Sequence, residues 1–115
     1  MTLKDINEIL EQTGVPVAYD HFNAVKDVPY IIYRVISSEN FCADDRVYAQ
    51  NLTINILLYT QTKNIELEEN IKSLLTQNDI TYDQTLETFY GEENVYEVTY
   101  QVNIMSYTDL INMSV

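Results

Sequence analysis

The stretch Asn51-Leu-Thr-Ile-Asn-Ile-Leu-Leu-Tyr-Thr60 decides the fold of this chain. Aliphatic side chains occupy every second position in it, at Leu52, Ile54, Ile56 and Leu58. Polar side chains stand between the first three of them, which is the period of a β-strand with one face on a core and the other nearer water. We therefore predict that this stretch is the central strand of a sheet.

A second strand precedes the central one. Tyr30-Ile-Ile-Tyr-Arg-Val-Ile36 is dense in β-branched and aromatic residues, which is typical of a strand entered from a turn. Polar residues over 37–45 interrupt the pattern, and we predict an antiparallel pair joined by a long tip. At about 3.3 Å per residue a strand over 46–60 spans roughly 45 to 50 Å, whereas a domain of this size has a radius of gyration of roughly 14 Å. The strand must therefore bend near Ala49 or project as an arm.

Two segments have the period of amphipathic helices. The first covers 2–13, where Thr2–Asp5 has the pattern of a capping box and Gly14 supplies a left-handed C-terminal cap. The second follows Asn64, the predicted N-cap, and continues to about Gln77. Glutamates crowd its first turn, where the helix dipole favours negative charge. We expect both helices to cover one face of the sheet.

The remaining strands come from three segments. Residues 15–20 should run extended after the first helix, since a proline prevents the helix from continuing. Residues 80–90 return to strand-like composition after the second helix. Apolar and polar residues alternate regularly over 96–104, and Gly91–Asn94 is the predicted hairpin turn between these last two strands.

The order of these elements is α-β-β-β-α-β-β. It predicts an α+β fold with a mainly antiparallel five-stranded sheet, two helices on one face and a long hairpin between the second and third strands. The length of 115 residues is near the commonest size of a single domain. We predict one domain over 1–106 and a C-terminal tail over 107–115, because the last residues lack a clear period.

The chain is acidic, with a net charge of −12 and only 6 basic residues, spread singly along it. Proteins that grip nucleic acid cluster Lys and Arg against phosphates, so we do not expect this chain to hold DNA. The beginning of the chain lacks the basic and apolar regions of a signal peptide, and no apolar run approaches the length of a membrane span. We expect a location in the cytoplasm, or in a particle assembled there.

Three pairs of residues in the sequence could carry catalytic chemistry, and each has a simpler explanation. The acidic pairs Asp44-Asp45 and Glu92-Glu93 could each begin a magnesium site, but adjacent carboxylates at turns are usually solvated. His21 and Cys42 could form a nucleophilic pair, but the acidic surroundings of Cys42 disfavour a thiolate. We therefore expect no enzymatic activity, no cofactor and no metal.

Four stretches form a pattern along most of the chain. They are Val28-Pro-Tyr-Ile-Ile-Tyr33, Ala43-Asp-Asp-Arg-Val-Tyr48, the run from Ile54 to Ile71, and Asn94-Val-Tyr-Glu-Val-Thr-Tyr100. Together they resemble the small tail-completion proteins of long-tailed bacteriophages and prophages of Gram-positive bacteria. The resemblance covers the chain from its start to about Ile104.

The resemblance implies a structural virion protein rather than an enzyme. These proteins belong to the head-tail joining region, and they are similar in element order to tail-terminator proteins, which form a hexameric ring that caps the tail tube and docks it to the head connector. The implied partners are further copies of this chain, the tail tube protein and a head-connector or head-completion protein. DNA would pass through the ring without specific binding. The implied location is the neck of the virion, after assembly in the host cytoplasm.

Two sets of residues follow as hypotheses for such a ring. The predicted arm supplies the subunit interface, with Ser38, Glu39, Asn40, Phe41, Asp44, Asp45, Arg46 and Tyr48. Acidic groups facing the channel would repel phosphate at ranges too short for salt to screen. These are Glu66, Glu68, Glu69, Glu92 and Glu93.

Other functions stay open from the sequence. The sequence does not fix whether the chain caps the tail or completes the head, so another head-completion protein is one alternative. An acidic binding protein, such as a DNA-mimicking inhibitor, would use the same charge to occupy a basic cleft and would be monomeric or dimeric. A phosphoryl-transfer enzyme would require a divalent metal.

Overall fold

A computed structural model describes residues 1–107 of the chain. The elements in chain order are α1 (Leu3–Glu11), β1 (Val17–Tyr19), β2 (Tyr30–Ala43), β3 (Arg46–Thr60), α2 (Ile65–Gln77), β4 (Tyr82–Tyr90) and β5 (Val95–Ser106). The strands form one five-stranded sheet in the spatial order β1-β2-β3-β5-β4. β1 pairs parallel with β2, and the other neighbours are antiparallel. The predicted α+β class and element order are confirmed, whereas nearly all of the predicted tail lies outside the described residues.

Both helices begin where their capping residues predict. The Thr2 hydroxyl accepts a hydrogen bond from the Asp5 amide at 3.3 Å, and the Asp5 carboxylate accepts one from the Thr2 amide at 2.8 Å. This bond from the Thr2 backbone holds the pKa of Asp5 below its usual value. The Asn64 side chain accepts from the Leu67 amide at 3.0 Å and starts α2.

The core lies between the two helices and one face of the sheet. Leu58 and Val102 come from β3 and β5, and Leu74 comes from α2; all three are buried in one apolar cluster. The antiparallel register places the alternating aliphatic residues of β3 opposite those of β5, with Ile54 beside Val102. The predicted helix face and the predicted sheet face therefore meet.

The long hairpin of β2 and β3 is confirmed, but the interruption of the strand pattern predicted over 37–45 is wrong. β2 continues to Ala43, which pairs with Arg46, and only Asp44 and Asp45 form the turn. Both aspartates have positive φ, 52° and 60°, as a two-residue type I′ turn requires. Polar residues over this stretch suggest a loop when they are considered alone, but a two-stranded ribbon without a core beneath it tolerates them on both faces.

The long strand projects instead of bending back. β5 reaches along β3 only as far as the pair of Ser106 with Gln50, so in the described part of the chain β3 pairs beyond that point with β2 alone. We call residues 37–49 the arm. The molecule is 52 Å long and its radius of gyration is 15.8 Å. A compact domain of 115 residues would have a radius of gyration of roughly 13 to 14 Å, so the molecule is more extended than a compact domain.

Candidate functional site

The arm carries every residue predicted for the subunit interface. Phe41 is half-buried, and the other predicted interface residues are exposed. Gln50 donates a side-chain hydrogen bond to Asn40 at 3.0 Å across the base of the arm, and Ala49 is buried opposite Phe41. The arm is therefore a hydrogen-bonded ribbon with an exposed surface. Contact with a neighbouring subunit stays a prediction.

The predicted acidic residues lie in two separate places. Glu66 and Glu69 are exposed on the first turns of α2, and Glu92 and Glu93 are exposed in the turn between β4 and β5. Glu68 is different, because it is only 3% exposed. Its inclusion in an exposed acidic patch is therefore wrong. At a period of 3.6 residues, a position two residues after Glu66 points away from it, here towards the sheet.

Glu68 belongs to an ion-pair cluster that joins α2 to strands β4 and β5. Lys63 donates to the carboxylates of Glu68 and Glu87, each at 2.9 Å. The hydroxyl of Tyr96 also donates to Glu87, and this bond is the main reason that the pKa of Glu87 lies below its usual value. The two carboxylates in turn raise the pKa of Lys63. The hydroxyl of Tyr100 is buried and has no protein partner among the described residues.

Replacing Lys63 with methionine should lower the free energy of unfolding by about 1 to 3 kcal/mol, because Glu68 would remain buried without its cation. This is less than the roughly 3 to 5 kcal/mol of a fully buried pair, since the Lys63 side chain is 39% exposed. Urea unfolding at neutral pH measures the change. Lys72→Met is the matched control, since the partner of Lys72 is Glu69 at 3.3 Å, whose side chain is 64% exposed. Such a pair contributes about 0 to 1 kcal/mol. Equal losses for the two variants would contradict a structural role for the buried pair.

A second polar cluster lies on the face of the sheet that the helices leave open. Glu97 is only 6% exposed, and its carboxylate accepts hydrogen bonds from the hydroxyls of Tyr59 and Tyr90, each at 2.7 Å. Burial, followed by the bond to Glu97, raises the pKa of Tyr59. The ring of Tyr30 stacks on that of Tyr59 with centroids 5.0 Å apart. Alternation in β5 placed Glu97 on this face, but its burial depends on tyrosines from other strands.

The residues considered for catalysis are not gathered into a site. Cys42 is exposed near the tip of the arm, and the side chain of His21 lies 2.9 Å from that of Asp20. The Asp20 amide bonds to Tyr33, nine positions before Cys42 on β2 (42 − 33 = 9), which corresponds to about 30 Å along a strand. Within residues 1–107, no group of three or more His, Cys, Asp and Glu side chains is arranged to hold a metal ion. No helix in this part of the chain is long and apolar enough to cross a membrane.

Comparison with known proteins does not assign a family. No protein-family model matches the chain, and no curated protein matches it. The structural features that bear on function are the arm, the edges of the sheet and the distribution of charge.

Proposed function

We propose that this protein is a ring-forming structural subunit of the bacteriophage neck, of the tail-completion or tail-terminator type. In this role, copies of the chain join the tail tube to the head connector and leave a channel through which DNA passes. The observation that carries the proposal is the arm, which extends beyond a well-packed body. An element of this kind can reach a neighbouring subunit in a ring. The element order and the sequence resemblance support the same role.

The charge distribution fits a channel that does not hold DNA. Several of the few basic side chains are engaged by carboxylates of the same chain. Arg34 lies 3.5 Å from Asp20, and the two lysines described above bind glutamates. With 6 copies the ring would carry 6 × −12 = −72 formal charges. Exposed glutamates facing a channel would repel phosphate at close range.

The mass of the protein in solution tests this proposal. A ring of 6 copies of a 13.4 kDa chain has a mass of about 80 kDa. Native mass spectrometry and light scattering should detect such a species with the purified chain, or with the chain mixed with its tail tube protein. A monomer or dimer under both conditions would contradict the ring and favour an acidic binding protein. Binding to a basic DNA-binding partner would then be the next measurement.

Lysine variants test the role of the acidic residues in DNA passage. Two double variants serve this test, Glu66→Lys with Glu69→Lys and Glu92→Lys with Glu93→Lys. We expect at least one of them to assemble normally and to bind DNA. Each new phosphate contact should steepen the dependence of log affinity on log salt concentration by about 0.9. Filter binding at several salt concentrations measures this slope.

The control for the lysine variants is Glu8→Lys, at an exposed position on α1. Because a single charge change on α1 lies outside the proposed patches, it should add little to the slope. If both double variants bind DNA no better than this control and deliver DNA normally, the acidic residues serve only solubility.

A further inference from the structure

The sheet has two free edges on opposite sides. β1 covers β2 only along Ile31–Tyr33, so among the described residues the outer edge of β2 has no strand neighbour along the arm. On the other side β4 is the last strand, and its outer edge has no strand neighbour in the same part of the chain. Free edges present unpaired amide and carbonyl groups that can pair with another chain.

Irregularities in the two strands leave free segments of matched length. Register shifts between Val35 and Ser37 and between Phe41 and Cys42 bound the segment Ser37–Phe41. A register shift between Gln84 and Leu86 leaves Leu86–Tyr90 as the regular part of β4. The second segment exposes large apolar side chains, with Leu86 40%, Phe89 52% and Tyr90 41% exposed. Exposed apolar residues on an edge strand favour pairing with a partner.

We infer that Ser37–Phe41 of one copy pairs with Leu86–Tyr90 of the next copy and continues the sheet across the subunit boundary. This inference rests on the proposed ring and names the surface that receives the arm. Successive strands from β2 through β3 and β5 to β4 are antiparallel, so β2 and β4 run in opposite directions. Copies with the same orientation therefore meet through an antiparallel pair, which is the more stable kind.

The register that centres the two segments on each other has compatible side chains. Glu39 then faces Thr88, and Phe41 faces Leu86, so that an aromatic and an aliphatic side chain meet and no like charges are directly opposite. Pairing of one arm with another in the same centred way would place two copies of Glu39 opposite each other. Like charges in that position are destabilising.

The two segments lie at different heights in the sheet. Glu39 is paired with Asn51, whereas Thr88 is aligned through Glu97 with Tyr59. The offset along β3 is 8 residues (59 − 51 = 8), or about 26 Å. Neighbouring copies are therefore staggered along the strand direction. Because of this stagger, the ring can close only if its strands are inclined to the ring axis, as they are in a β-barrel. Opposite edges meeting in this way make a head-to-tail contact, which generates a ring when the rotation between copies closes and an open filament when it does not.

Thiol crosslinking tests the pairing, because Cys42 is the only cysteine of the chain. Cys42 and Thr85 lie one residue beyond the two paired segments, at the register shifts that bound them, so the pairing brings these two positions close together; Thr85 is exposed on β4. We expect the full chain carrying Thr85→Cys to form a ladder of covalent trimers and larger species under mild oxidation or with a short bismaleimide. Three controls should not form the ladder. They are the unmodified chain, the Thr85→Cys chain that also carries Cys42→Ser, and a chain with Ser73→Cys on the exposed face of α2.

Each other outcome overturns the inference in a distinct way. Covalent dimers of the unmodified chain would show arm-to-arm pairing, and dimers of Thr85→Cys with Cys42→Ser would show β4-to-β4 pairing. A second crosslinking variant carries Glu39→Cys and Thr88→Cys in a Cys42→Ser chain. If this variant and the Thr85→Cys chain both form a ring of the correct mass but give no ladder, the contact is refuted and the proposed function is left intact. A chain that stays monomeric would refute both.

Discussion

Replacing Asn40–Gln50 with an Asn-Gly turn is expected to leave a folded monomer that no longer forms rings. Glu39 and Asn51 are paired across the hairpin, and a two-residue type I′ turn can join such a pair without distortion. The replacement removes most of the arm, including Phe41, and leaves the apolar core cluster untouched. Native mass spectrometry should show the mass of the shortened monomer, and circular dichroism should show a retained α+β spectrum.

The control for the arm replacement keeps the arm and changes only its turn. Asp44→Asn with Asp45→Gly supplies the residues that a type I′ turn prefers at positive φ, and it should assemble like the unmodified chain. If the shortened chain still sediments as a ring, the arm has no role in assembly. If the control also fails to assemble, the two aspartates themselves contribute to the contact.

Leu74→Ala is expected to lower the free energy of unfolding by about 2 to 5 kcal/mol, because it removes buried methyl groups and leaves a cavity. Leu74 is 7% exposed and lies on α2 in the same cluster as Leu58 and Val102. The loss is a large fraction of the roughly 5 to 15 kcal/mol that stabilises a typical domain. Urea unfolding, with the slope checked for constancy, measures it.

Ser73→Ala is the matched control for Leu74→Ala, since Ser73 is the preceding residue of α2 and is exposed. A surface change of this kind should alter the free energy of unfolding by no more than about 0.5 kcal/mol. A similarly small effect of Leu74→Ala would mean that α2 presents a different face to the sheet.

The parts of the fold that depend on neighbouring residues could be predicted from the sequence. Alternation of period two defined the core faces of β3 and β5, and the caps at Thr2 and Asn64 marked where both helices begin. The turn at Gly91–Asn94 followed from its composition and from the strands on either side. These signals are reliable because each is decided by residues within about one turn or one hairpin of each other.

Tertiary structure alone decided that β2 continues through its polar stretch to Ala43. A two-stranded ribbon is stabilised by the hydrogen bonds between its strands, and β3 provides these bonds whatever the polarity of the side chains. The burial of Glu68 also depends on distant residues. It requires Lys63 to bind Glu87 on β4 as well, 24 positions away in the chain. Periodicity assigns a residue to a face of its own helix or strand, but the element that packs against that face determines whether a charge there is solvated or paired.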